Sequence, residues 1–561
     1  PAWAADQQRS GYVVYSHLPH MRKIANGDFI GAVPSGTAIA EKVSYDLARG
    51  EYESRQITVT ALEDLKYIHL DVETDLDVRV YRPVGHPVRS RFLEYSPNKG
   101  DGDSIAAWIH DAFLDTSNVI DLLDKESSAY FVITIHAARD AAPGIHRGWI
   151  RLKAHGKPVT ELELVVRVRD FELQRARIAY FPFFYVQWGG GRALPKFAQT
   201  DQWIEALYRD MAEHSHTSVS FYGPQIDLKQ LPPPKNWYMD VLLPAAKRAG
   251  LISPDVPVIS FVTNLGPLSG DGATSVEQKN EAMDWLNAES RKHGWPELIS
   301  YSYDEPGYPS RYSPAIEEYL GSYRKVNVRQ CAAMDARAAY GLGELYDAWI
   351  VYAGHITHEM IDEARRHGAE VWTYSCHLHP CEPVKERYYA GLYMWAYQLK
   401  GHTTWHHYAQ GHFKNIWMRP GDDHAIMPTV GWEARRDGID DYRYLQMLED
   451  AIAFHGNHPL AAEATQWLER LRSRMTTNPH KAEPGNPIEL EAYGRIRSKA
   501  ADYIDRLGVV PPEAIKSPPA ARLKDEAEPF RGKSIGECIT GLTNDDWSVR
   551  RAAAWTLFEM G

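Results

Sequence analysis

Between about Arg177 and His412 the chain alternates strand-like and helix-like runs eight times, and few folds accept that pattern. The strand candidates are Ile178–Val186, Ser218–Tyr222, Pro257–Val262, Leu298–Tyr303, Asn327–Cys331, Ala348–Tyr352, Glu370–Tyr374 and Thr403–His406. They are short, apolar and rich in aromatic and β-branched residues, as strands covered on both faces are. Helical runs separate them at Thr200–Glu213, Tyr238–Ala249, Ser275–His293, Ser313–Lys325, His358–Arg366 and Glu386–Leu399. Eight such units in roughly 240 residues predict a (β/α)8 TIM-like barrel. A doubly wound sheet is the alternative, but no glycine-rich nucleotide loop follows any of these strands.

The flanks read differently. From Gly11 to Leu173, short alternating runs such as Gln56–Thr60, Tyr67–Val72, Tyr130–Ile135 and Glu161–Val168 are separated by turn signals like Ala142-Pro-Gly144. That pattern predicts an N-terminal β-sandwich over residues 11–174, an accessory domain. The barrel is expected over 175–430 and a helical extension packing on it over 431–510, with helices at Asp440–Phe454, Leu460–Met475 and Glu489–Leu507. A proline-rich linker, 511–533, precedes a HEAT-like helical pair over 534–561, with apolar Ile535, Ile539, Leu542, Val549, Ala553 and Leu557. One such repeat cannot bury its own face, which leaves packing on the body, on further repeats or in a homo-oligomer. The expected molecule is multidomain.

Composition narrows the partners. The net charge of −12, from 62 basic and 74 acidic residues, argues against nucleic acid. No stretch offers the eighteen or so uncharged apolar residues of a membrane span. With four cysteines the chain is not a disulfide scaffold. Cys376 and Cys381 flank one loop and could pair in an oxidising compartment, while Cys331 and Cys538 read as buried thiols. Ala2-Trp-Ala4 has the small-x-small form of a signal-peptidase site, so export to the periplasm or medium is expected.

Within the barrel count, the fourth strand ends in Tyr301-Ser-Tyr-Asp-Glu-Pro306. Pro306 cannot extend a ladder, so Asp304 and Glu305 fall at the C-terminal strand ends, where barrel enzymes carry their chemistry. Adjacent carboxylates repel, and a pair held in unequal protonation states is what acid/base catalysis uses. A solvated acidic loop is the plain alternative. Other strand ends contribute Tyr185, Trp188, Tyr222, Asn264, Tyr352, His355, Tyr374, His377, Trp405 and His406. This aromatic, hydrogen-bonding and cation-poor set suits a neutral polyhydroxyl ligand better than a phosphate, although each aromatic alone is equally at home in core packing. The histidines at 377, 379, 402, 406, 407, 412 and 424 match no zinc spacing, so neither a metal nor any other cofactor is expected.

Four stretches together resemble glycoside hydrolase family 123 and its uncharacterised relatives, over about residues 10 to 510. They are Arg49-Gly-Glu-Tyr-Glu-Ser54, Asp304-Glu305, the run from Trp395 to Trp405, and Glu433-Ala-Arg-Arg-Asp-Gly-Ile-Asp-Asp-Tyr442. The resemblance implies a β-N-acetylgalactosaminidase-like enzyme with a substrate-assisted, retaining mechanism. Glu305 would be the acid/base, and Asp304 would orient the 2-acetamido group. Trp188, Tyr222, Asn264, Tyr352, Tyr374, His377, Trp395, Trp405 and His406 are the candidate substrate-binding residues, for an oligosaccharide or glycoconjugate. The chain departs from its relatives in reading Met427-Pro428 where they tend to have Tyr-Pro. One alternative is therefore a two-carboxylate glycosidase on a sugar without an acetamido group. Its second carboxylate, Asp335 or Glu382, would stand about 5 Å away for retention or roughly 6.5–9.5 Å for inversion. Another is a non-catalytic carbohydrate-binding protein.

Overall fold

In the computed structural model the residues described are 10–17, 42–88, 107–184, 200–221, 238–260, 275–301, 303–306, 320–321, 324–326, 328–375, 383–404, 418–420, 426–475, 490–511 and 514–515. The residues of the expected HEAT-like pair and of the 376–382 loop lie outside this set.

Ten strands build the N-terminal part: β1 (Tyr12–His17), β2 (Lys42–Arg49), β3 (Glu51–Ala61), β4 (Leu65–Glu73), β5 (Asp77–Val88), β6 (Ala107–Thr116), β7 (Val119–Leu123), β8 (Ser128–Ala137), β9 (Gly144–Lys153) and β10 (Thr160–Glu172). They form two five-stranded sheets, ordered β1-β3-β8-β5-β6 and β2-β10-β9-β4-β7. Pairing is antiparallel except between β10 and β2. Inward residues of both sheets, among them Ile57, Val59, Phe131 and Ile133 against Leu70, Ile150, Leu152 and Leu164, share one core. On β9 the alternate residues Arg147, Arg151 and Lys153 face outward into a ladder of ion pairs with Glu163, Glu161, Glu73 and Asp71. One face is therefore buried and the other solvated, which is the physical origin of the alternation in the sequence.

Eight parallel strands follow: β11 (Ala179–Pro182), β12 (Ser220–Phe221), β13 (Val258–Ser260), β14 (Leu298–Tyr301), β15 (Gln330–Met334), β16 (Ala348–Tyr352), β17 (Glu370–Ser375) and β18 (Gly401–Thr404). Their order is β11-β18-β17-β16-β15-β14-β13-β12, so from β12 to β18 each strand lies beside its sequence neighbour and β11 pairs with β18, as in a singly wound barrel. The remaining junction, β11 with β12, is bridged by hydroxyl side chains. The Tyr180 amide donates to Thr217 Oγ1 at 2.9 Å and the Phe184 amide to Ser220 Oγ at 2.8 Å. The Ser218 amide reaches the Tyr180 carbonyl at 3.1 Å. Ala179, Phe181, Ile299, Cys331, Ala348, Ile350 and Trp372 fill the interior. The Trp372 ring lies across Gly401, where a Cβ would come 2.3 Å from the indole, so a large side chain is accommodated by a missing one on the next strand.

The helices pack outside. Those described are α1 (Asp201–Glu213), α2 (Leu243–Arg248), α3 (Val276–His293), α4 (Ala336–Leu342), α5 (His358–Arg366) and α6 (Pro383–Tyr388), the last continuing through a π turn to Ala396. Their ends follow capping chemistry. Ser275 and Gln278 form a capping box at the start of α3, and Gly294 ends it with φ +61°.

The C-terminal helices are α7 (Val430–Phe454), α8 (Pro459–Met475) and α9 (Leu490–Leu507). The sequence placed the first of these at Asp440. Instead it begins ten residues earlier, where the Thr429 hydroxyl accepts from the Trp432 amide. The whole Glu433–Tyr442 motif is therefore helical, and its charges are buried. Arg497 of α9 donates to Glu51 of β3 at 2.9 Å and to Asp441 at 3.0 Å. Arg387 of α6 holds Asp441 through bonds of 2.8 and 3.0 Å. Arg436 reaches Ser54 at 2.8 Å and pairs with Glu433, which also accepts from His214 at 3.0 Å. Tyr444 donates to Glu51 at 2.6 Å. Charges without water are tolerable only when paired in this way. The junction joins the two-sheet unit, the barrel and the extension. Space is equally tight there, since a Cβ on Gly438 would sit 2.5 Å from the Arg387 carbonyl oxygen.

Candidate active site

The fourth barrel strand, β14, ends at Tyr301, and Asp304 and Glu305 follow it at the C-terminal face. Asp304 is exposed and Glu305 half-buried. Glu305 adopts φ +48°, in the left-handed region that side chains other than glycine, asparagine and aspartate seldom enter. Strain of this kind persists where surrounding structure enforces it and concentrates at functional sites.

Asp304 is tied to the barrel through Tyr301. The Tyr301 hydroxyl accepts from the Ala333 amide of β15 at 2.9 Å and donates to Asp304 Oδ1 at 2.8 Å. Burial, reinforced by the neighbouring Asp304 charge, holds the phenol well above its ordinary pKa, so it remains a donor at neutral pH. The Tyr301 ring meets the Phe183 ring edge-on at 6.0 Å, and Phe183 meets Tyr374 at 5.8 Å. An aromatic chain thus runs from the end of β17, by way of the segment after β11, to the carboxylate.

Tyr352 and Tyr374 are direct register partners at the ends of β16 and β17. Both continue the inward alternation of their strands and are half-buried. The Tyr352 ring covers Gly354 and contacts His355 edge-on at 5.4 Å. Tyr301 and Phe183 were missed as site residues by the sequence reading. The signal was available, since Tyr301 stands in phase with the interior and three residues before Asp304.

Trp395 requires correction. It lies on the helical run after β17, 2% exposed, with its indole donating to Glu449 at 2.9 Å and Arg472 stacked 4.4 Å over its ring. It fastens the barrel to α7 and α8 and cannot line a sugar site. Asp335 accepts from the Ala338 amide at 2.8 Å and is the N-cap of α4. Trp188, Tyr222, Asn264, His377, Trp405, His406 and Glu382 lie outside the described residues. Among the described residues no group of three histidine, cysteine or acidic side chains is placed to hold a metal ion. No described helix is long and apolar enough to cross a membrane.

Eight parallel strands in this order, with a carboxylate pair behind the fourth, define a fold of the TIM-barrel class. No family model and no curated protein matches the chain. Among solved structures, it is similar to a family 123 glycoside hydrolase from Clostridium perfringens, described for glycolipid glycan hydrolysis, with a TM-score of 0.61 and 11% identity over 88% of this chain and 100% of that one. At that identity the likeness shows a shared fold. A family 5 xyloglucanase from Bacteroides ovatus aligns over 72% of this chain and 98% of its own at 8% identity, with a TM-score of 0.21, too low to carry an argument.

Proposed function

We propose that the chain is a glycoside hydrolase acting on β-linked 2-acetamido sugars of the N-acetylgalactosamine type, by a substrate-assisted retaining mechanism. The observation that carries this reading is the Asp304–Glu305 pair behind β14, with Asp304 held by Tyr301 and Glu305 in a strained backbone conformation. The likeness in fold to the Clostridium perfringens enzyme, over 88% of this chain, supports it.

Adjacent carboxylates behind one strand project in different directions, so each meets a different part of one sugar. Glu305 protonates the glycosidic oxygen as the bond to the anomeric carbon breaks. The substrate's acetamido oxygen attacks that carbon from the opposite face. Asp304 accepts the acetamido N–H and stabilises the positive charge developing on the oxazolinium ring. Glu305, now a carboxylate, takes a proton from the water that opens the ring, and the anomeric configuration is retained. Tyr352 and Tyr374 supply sugar-facing aromatic surface at neighbouring strand ends. The cap that Asp335 provides for α4 weighs against it as the second carboxylate of a conventional pair.

The test is hydrolysis of an aryl 2-acetamido-β-galactoside and of the plain aryl β-galactoside by the full chain. Turnover of the first, little of the second and inhibition by a thiazoline are expected. Glu305→Gln should lower kcat by about 10²–10⁴, the contribution of a positioned proton donor. Equal turnover of both substrates would overturn the acetamido mechanism, and binding without turnover would overturn the enzyme.

A further inference from the structure

We infer that Tyr301 is a positioning residue that sets the rotation of the Asp304 carboxylate, and through it the selectivity for acetamido over hydroxyl sugars. This rests on the function proposed above and concerns a residue that does not touch the substrate in that scheme.

The direction of the hydrogen bonds carries the inference. A phenol has one proton. The Ala333 amide already donates to the Tyr301 oxygen, so that proton is directed elsewhere, and Asp304 Oδ1 lies 2.8 Å away. The Ala333 amide belongs to β15, whose place is fixed by register with β14 and β16. The ring is fixed in turn by the Phe183 edge contact, and the residue is 7% exposed. The rigid barrel therefore dictates where Oδ1 sits, although Asp304 itself is exposed on a short connection beyond the strand. Side-chain freedom that remains at a carboxylate must be given up when it meets a substrate. The bond from Tyr301 fixes the direction of Oδ1 beforehand, so the carboxylate meets an acetamido N–H already oriented. Glu305 makes no such demand, because proton donation to a glycosidic oxygen is common to both sugar classes.

The test compares wild type with Tyr301→Phe, Asp304→Asn and the double variant on the paired aryl substrates. A hydrogen bond to a charged group contributes about 1.5–3 kcal/mol, equivalent to roughly 10–150-fold in rate. Tyr301→Phe should lower kcat on the acetamido substrate by that factor, with a smaller effect on KM, and narrow the acetamido-to-hydroxyl ratio. In the Asp304→Asn background the same substitution should change kcat less than about twofold, because interacting residues are non-additive. A purely structural role would act equally in both backgrounds, and that result would overturn the inference. If wild type cleaves neither substrate, it is the functional proposal that fails. If wild type is active and Tyr301→Phe matches it, only the role of Tyr301 fails. The Phe variant strands the Ala333 amide and could unfold, so 3-fluorotyrosine at 301, which keeps the oxygen and alters its acidity, is the second probe. A changed kcat on the acetamido substrate at unchanged thermal stability supports the inference, and an unchanged kcat overturns it.

Discussion

Glu305 has φ +48°, and this conformation separates what the residue costs from what it does. A Cβ in the left-handed region is disfavoured by roughly 1–2 kcal/mol, whereas glycine is at home there. Glu305→Gly should therefore be more stable than Glu305→Ala by about 1 kcal/mol, measured by urea denaturation, with both variants inactive. Equal stabilities would mean that the backbone is not constrained at that position. The sequence allowed the carboxylate pair to be placed behind the fourth strand, because Pro306 and the apolar run before it mark a strand end. It could not display the bond from Tyr301 to Asp304, because tyrosine in a strand looks the same whether its hydroxyl meets a carboxylate or a carbonyl.

At the scale of elements, the contrast between α5 and α7 explains where sequence reading succeeds. The expected span of α5, His358–Arg366, coincides with the helix, because Met360, Ile361 and Ala364 face the core while Glu359, Asp362, Arg365 and Arg366 face water, and the one buried carboxylate, Glu363, is paired within its own turn with Arg366 and with the adjoining His367. In α7 the rule inverts. Glu433, Arg435, Arg436, Asp437, Asp440 and Asp441 are all buried, so a pattern that equates charge with solvent finds no amphipathic helix before Asp440. Their partners include Ser54, His214, Glu386, Arg387 and Arg497, hundreds of residues away in part, and no local window reveals them. The same geometry predicts unequal costs for removing arginines. Arg497→Met removes the buried cation between Glu51 and Asp441, leaving Glu51 with the Tyr444 hydroxyl and the Ala48 amide and Asp441 with Arg387, and should destabilise by about 3–5 kcal/mol. Arg151→Met, from the exposed ladder on β9, should shift the midpoint far less, because water replaces the lost partner. Denaturant midpoints of the two variants check this, and similar shifts would contradict the burial of the junction.

Across the whole molecule, the junction gives stability a pH dependence. Burial alone would lower the pKa of His214, but Asp210 and Glu433 outweigh it and push the imidazole up to about 9. The folded state then holds a proton that the unfolded chain releases near 6.5. The stabilisation is complete below about pH 6.5 and disappears as pH rises through about 9. A shift of this size corresponds to about 3 kcal/mol. The denaturation midpoint should fall between pH 7 and pH 10, and His214→Gln should flatten that decline. An unchanged slope in the variant would assign the effect to other groups. The alternation of strands and helices made the barrel legible at this scale, since each βα unit announces itself locally. The dependence of one part on another was not legible, because it resides in ion pairs between distant segments.

The shared charges also bear on inheritance. A graft of the two-sheet unit onto a foreign barrel would bring Glu51 and Ser54 to an interface with no Arg497 or Arg436 to meet them. Recombination between relatives should then conserve β3, α6, α7 and α9 as one cassette, leaving the loops at the strand ends free to be exchanged.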